Sequence, residues 1–162
     1  MALTNLIFQT LKHYIAEYKM ATFEKMSAAE KEAVVNSILR EFMEIFENMR
    51  IYHWRSCCYG RHNASDKFIG SWIDLTDRFT ENLLGHFPAL KETLASSSFN
   101  LTLRVHRENQ AISADEMWKA LQKLADKLQS LDNVFQGITD LLNIRDEIVG
   151  QIKQTQYLFT FK

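Results

Sequence analysis

Apolar residues recur every three to four positions along most of this chain, and few breakers interrupt them: one proline and five glycines in 162 residues. After Ser27, the positions Val34, Val35, Ile38, Leu39, Phe42, Ile45, Phe46, Met49 and Tyr52 make one stripe at helical spacing. "SAAE" at 27–30 has the form of a capping box. Ser27 would accept from the backbone of the third helical residue, and Glu30 would reach back to the cap. The stripe predicts a first helix that runs to the neighbourhood of Trp54. Gly60 is the expected break, a second helix should span about 62 to 84, and Gly85 should end it as a C-cap.

From 86 to 112 the pattern changes. Pro88 can open a short helix over "ALKETLA", after which "FNLTLRV" alternates apolar and polar with period two. A lone strand has no partner here, so an extended crossover, or an edge used in assembly, is expected. A second capping box, "SADE" at 113–116, starts a third helix with Met117, Leu121, Leu124, Leu128 and Leu131 on one face. "LDN" at 131–133 is the preferred turn and "NIRD" at 143–146 the alternative. The fourth helix would carry Phe135, Ile138, Leu141 or Leu142, Ile148, Ile152 and Tyr157.

Two long helices, a crossover at about 86–112 and two more helices predict an all-α fold. Ferritin-like four-helix bundles are prominent among chains with that connectivity. Residues 27–162 would form this single domain. Residues 1–24 would add an amphipathic helix, since Leu3, Ile7, Leu11, Tyr14 or Ile15, and Tyr18 fall at helical spacing. Asn5, Gln9, Lys12 and His13 interrupt that segment, which argues against a signal peptide. No run of about 18 apolar residues exists, so no membrane span is expected.

Composition narrows the function. The formal net charge is −1, so no global field draws the chain to nucleic acid or to an anionic surface. DNA coating would need a basic tail, and the ends offer only Lys12, Lys19 and Lys162, with a small basic spot in "TLRVHR" at 102–107. Cys57 and Cys58 are the only cysteines and are adjacent. A disulfide between neighbours is strained, which points to a reducing compartment and to thiols packed as small hydrophobes. The sequons at Asn63 and Asn100 then read as chance.

The candidate chemistry lies in "IYHWRSCCYGRHNASDKF" at 51–68 and in the helix after it. His53 is near the end of the first helix. His62 and Asp66 are four apart and share a face of the second, as do Asp77 and Glu81 further on. Mixed imidazole and carboxylate ligation suits a hard, redox-active cation such as Fe²⁺. His62 to Asp77 spans about 22 Å along a helix, so both pairs cannot hold one ion within one subunit. Two copies packed antiparallel about a two-fold axis could share it, with His53, His62 and Asp66 from one and Asp77 and Glu81 from the other. Asp74 is a substitute for Asp77. Zinc is the second choice: His53 with Cys57, and Cys58 with His62, are four-residue pairs of zinc-ligand type, but no repeated ligand framework accompanies them.

"HW" at 53–54, "HNASD" at 62–66 and "DRFTE" at 77–81, followed by Gly85 and Pro88, resemble the Dps (mini-ferritin) family. The step from His53 to His62 is about three residues shorter than in that family, and beyond residue 90 the likeness is one of architecture. The resemblance implies iron as the substrate of a di-metal site built from His53, His62, Asp66, Asp77 and Glu81, with Trp54 beside it. It also implies homo-oligomerisation in two-fold pairs, up to a twelve-subunit shell, with Fe²⁺ oxidised by peroxide or dioxygen and stored. The cytoplasm is the expected location. The stretch from 52 to 68 is similar as well to Dps-like proteins of phages and large DNA viruses. The alternative is therefore a virion-associated structural protein that meets capsid proteins and has no active metal site.

Overall fold

A computed structural model describes residues 22–96, 98–103 and 113–161 of the chain. The described residues are all-α. A 3-10 turn, Phe23–Lys25, precedes α1 (Ala28–Arg55), α2 (Tyr59–His86), the short α3 (Leu90–Ser96), α4 (Ala114–Gln129) and α5 (Thr139–Leu158). Both capping boxes form. Ser27 Oγ accepts from the Glu30 N–H while the Glu30 carboxylate takes the Ser27 N–H, and Ser113 and Glu116 repeat the arrangement at α4. These caps satisfy amide donors that the first turn of a helix otherwise leaves open.

The four long helices each pack against two others: α1 against α2 and α4, and α5 against α2 and α4. Their inner faces bury Ile38, Phe42 and Met49 of α1 and Phe68, Trp72 and Phe79 of α2. Leu121 and Leu128 of α4 and Ile148 and Ile152 of α5 complete the same core. Trp72 lies at its centre, stacked on Phe68 at 4.6 Å and edge-on to Phe42 at 5.7 Å. Its indole N–H donates to the Phe42 carbonyl at 3.1 Å. No described helix is long and apolar enough to cross a membrane.

Polar contacts fasten the helix pairs at their edges. Arg78 of α2 grips Glu147 of α5 through two bonds of 2.9 and 3.2 Å. Asp140 of α5 accepts from His86 at 2.8 Å and from Asn82 at 3.0 Å, which holds its carboxyl down at about 2. Between α4 and α1, the Lys127 ammonium reaches Glu41 at 2.8 Å and Ser37 at 2.6 Å, and burial pulls its pKa below the ordinary lysine value. Arg145 is buried and donates to the Leu128 carbonyl at 3.0 Å and to Asp132 at 2.6 Å, closing the α4–α5 turn.

Several expected boundaries move. The first break is the three-residue link Ser56–Cys58, whose Ser56 and Cys58 are extended and need no glycine, so Gly60 lies inside the first turn of α2. Gly85 is also helical, and α2 ends at His86, capped by Phe87, whose N–H bonds to the Leu83 carbonyl. The α4–α5 connection covers the preferred "LDN" turn but runs on to Ile138. Gly137, with φ of 92°, makes the left-handed step there. Phe135 and Ile138 are thus buried in the connection rather than carried by the last helix, while "NIRD" is helical. In the crossover, the start of the period-two stretch has no regular structure. It is tied to α1 through Thr102, whose N–H donates to Glu44 at 3.0 Å and whose carbonyl accepts from the buried Asn48 at 3.2 Å.

The helix expected over 1–24 lies outside the described residues except for its last three positions. There Phe23 is fully buried, with ring centroids 4.6 Å from Phe87 and 5.2 Å from Phe135. That ring belongs to the core of the main domain.

Candidate functional site

The short link between α1 and α2 turns the chain back on itself, so the last turn of α1 faces the first turn of α2. His53 and His62 consequently stack, with ring centroids 4.0 Å apart and planes 21° from parallel. Each ring is fixed by the other's backbone: His53 Nδ1 lies 3.2 Å from the His62 carbonyl, and His62 Nδ1 lies 3.1 Å from the His53 carbonyl. A carbonyl can only accept, so each Nδ1 carries the proton and donates it. In the neutral ring, each Nε2 then keeps its lone pair, which is the tautomer a metal ion binds.

Ser65 completes the lock. It is fully buried, its hydroxyl donates to the His62 carbonyl at 2.8 Å, and its oxygen stands 3.2 Å from His53 Nδ1 as a second acceptor. Sequence reasoning passed over this residue. Its signal was the three-residue step from His62, which puts a hydroxyl on the side of α2 that turns toward α1.

The hairpin tip is braced from below. Tyr52 stacks on Phe159 at 5.1 Å, burial raises its phenol pKa, and Arg61 Nε donates to the Phe159 carbonyl at 3.1 Å. Outside the tip, Trp54 is 66% exposed, with the Arg50 guanidinium 5.0 Å from its ring centroid. Trp54 is therefore a surface aromatic one residue from His53.

The carboxylates fall as helix geometry dictates. Asp66, Asp77 and Glu81 are exposed on α2, and none of them makes a hydrogen bond or ion pair among the described residues. At about 100° per residue, His62, Asp66, Gly70, Ile73, Asp77 and Glu81 fall within about 100° of arc on the side of α2 opposite the core. Asp74 falls about 20° beyond the Glu81 edge of this arc, beside Arg78 at 3.8 Å. Arg78 in turn bridges to Glu147 of α5. Asp74 is thus engaged by Arg78, whereas Asp77 has no such partner among the described residues.

Within one chain, His53 and His62 come together while Asp77 and Glu81 stay along the helix, away from them. Among the described residues, no group of three or more His, Cys, Asp and Glu side chains gathers as an ion-binding cluster. The four-ligand set with Cys57 and Cys58 is therefore not assembled. Both thiols are free; Cys57 is exposed, which corrects the expectation that it packs as a small hydrophobe, while Cys58 is half-buried in the link. A three-residue link on the outer end of a hairpin has no core to face.

The chain belongs to a family of unknown function (DUF5856), whose model matches residues 53–159, a span that begins at His53 and includes every candidate ligand. Comparison with curated proteins and with solved structures gave no match.

Proposed function

We propose that the protein is a Dps-like, ferritin-related assembly that binds Fe²⁺ at sites shared between two subunits, oxidises it and retains the product. A ferritin-like four-helix bundle is supported by the closed order of helix neighbours α1–α2–α5–α4 and by the long connection from α2 to α4 that contains α3. The observation that carries the functional reading is the locked His53–His62 pair, whose Nδ1 atoms are committed to backbone and whose Nε2 atoms are left for an ion.

His53, His62 and Asp66 bind from one subunit, Asp77 and Glu81 bind from its mate, and Trp54 lines the outer side. Two Fe²⁺ ions supply two electrons, which reduce one hydrogen peroxide to two waters as two protons are taken up. The carboxylates neutralise the charge that grows as iron becomes ferric, and the imidazoles hold the ions without adding negative charge. Homo-oligomers of two-fold pairs follow from the shared ligands, with twelve subunits as the shell size the resemblance implies. The cytoplasm is the setting that fits, or a virion if a virus encodes the chain. A net charge of −1 supplies no global field to draw the chain to DNA.

The second reading is an assembly block without a working site, in contact with virion proteins. The partly exposed Leu101 and Leu103 of the crossover favour it as an interaction edge.

Two single substitutions test the first reading. Asp77→Asn should reduce peroxide-driven Fe²⁺ oxidation to the protein-free rate, while Asp74→Asn should leave it at the wild-type rate, both followed by ferric absorbance. Wild-type protein that oxidises iron no faster than buffer would remove the reading altogether.

A further inference from the structure

The start of the crossover runs beside α1, where Thr102 is bonded to Glu44 and Asn48. Nearer the N-terminus of α1, a cavity of about 280 Å³ opens between helix and crossover. Ala33, Asn36, Ser37 and Arg40 line it from one face of α1, at the i, i+3, i+4 and i+7 positions, and Phe99 and Asn100 line it from the crossover. Guanidinium, hydroxyl and amide groups make this lining rich in donors, and no carboxylate is among its described residues.

Two of the donors have nothing to donate to. The Nε of Arg40 is shut off from solvent without a hydrogen-bond partner, and Arg40 makes no ion pair among the described residues. A cationic N–H enclosed without an acceptor costs free energy. Its sequence neighbour Glu41 is committed to the Lys127 ammonium at 2.8 Å, so that carboxylate does not serve Arg40. Burial, and then the like charge of Arg40, lower the pKa of Lys127, so the positive charge of Arg40 is felt there uncompensated. Ser37 is the second donor. Its oxygen accepts from Lys127 at 2.6 Å, which leaves its own proton to donate, and that proton has no acceptor among the described residues.

We propose that this cavity binds a small organic oxyanion, a phosphate monoester or a carboxylate, through Arg40 and Ser37, with the apolar part of the ligand against Phe99 and Ala33. A guanidinium presents paired N–H groups to two oxygens of either head group. No bond pins Arg40, so the guanidinium can turn on its stem and bring Nε to the anion. Cavities for organic ligands span about 300–1,000 Å³, so a volume at their lower limit sets a compact ligand. The site is independent of the iron reading, whose ligands stand on the last turn of α1 and on α2.

The experiment titrates the metal-free full chain calorimetrically with phenyl phosphate and, separately, with benzoate, at fixed ionic strength. The expected result is saturable binding of at least one probe at one site per chain, the tighter probe identifying the head group. Arg40→Met should weaken that binding by about tenfold or more, the loss of a charge-assisted bond. Its melting temperature without ligand should stay at or above that of the wild type, because an enclosed, unpaired N–H has been removed. Ala33→Glu changes an exposed helical position, should keep its helical circular dichroism, and should weaken binding by repulsion of the anion. It decides the matter if Arg40→Met fails to fold. Absence of saturable binding of either probe to the wild type, or wild-type affinity in either folded variant, overturns the site.

Discussion

His62→Ala and Glu81→Ala should each abolish Fe²⁺ oxidation alone, and a refolded equal mixture of the two should recover about a quarter of the wild-type sites. Each site takes His62 from one subunit and Glu81 from the other. A pair made of one chain of each variant has one site that lacks both groups and one that lacks neither. Random pairing makes about half of all pairs mixed, and each mixed pair keeps one site of two, which gives the quarter. Recovery of activity on mixing two dead variants is hard to explain by any site within a single chain. Stopped-flow absorbance on the mixture, beside each variant at the same total concentration, reads it directly. Activity in either variant alone at the wild-type level would mean that the removed group is no ligand. A mixture as dead as its components would mean that the site is not shared.

The largest stability effect is expected at Trp72. It is 1% exposed, and Trp72→Ala removes its stack on Phe68, its edge contact with Phe42 and the indole bond to the Phe42 carbonyl. Truncation of a buried aromatic typically costs about 3–5 kcal/mol through lost transfer energy and the cavity left behind. The Phe42 carbonyl is still used by α1, so the lost indole bond adds little to that sum. Urea denaturation followed by circular dichroism should show the midpoint fall accordingly. Trp54→Ala is the matched control: Trp54 is 66% exposed and should move the midpoint by less than about 0.5 kcal/mol, as surface substitutions do. Equal losses at the two tryptophans would contradict the placement of Trp72 at the centre of the core.

The elements were legible where a local rule decides them. Ser27 with Glu30 and Ser113 with Glu116 marked two helix starts correctly, because a capping box involves only four consecutive residues. The apolar stripes of α1 and α4 gave their buried faces for the same reason: periodicity is local. The glycines misled. Gly60 and Gly85 looked like stops yet are helical, while the chain reverses at Ser56–Cys58 in backbone conformations open to any residue. Gly137 was passed over for "LDN", although it is the residue whose backbone needs glycine.

For the candidate site, sequence spacing singled out the five candidate residues and the distance that separates the two pairs, because a distance along a helix follows from counting residues. What spacing could not supply was the facing of His53 and His62, which depends on a link of three residues rather than a longer one. Ser65 was invisible for a related reason: its role comes from burial against the opposite helix end. Asp74 and Asp77 looked alike in sequence; they differ in that Arg78, which also bridges to Glu147 on another helix, pairs with Asp74.

The most direct test of the shared site is particle mass and iron content measured together, by light scattering on a chromatographic peak before and after anaerobic Fe²⁺ loading. The expected result is a multi-subunit particle built from two-fold pairs that binds two ions per shared site. A monomer that still binds iron tightly, or a stable assembly that ignores it, would contradict the shared site.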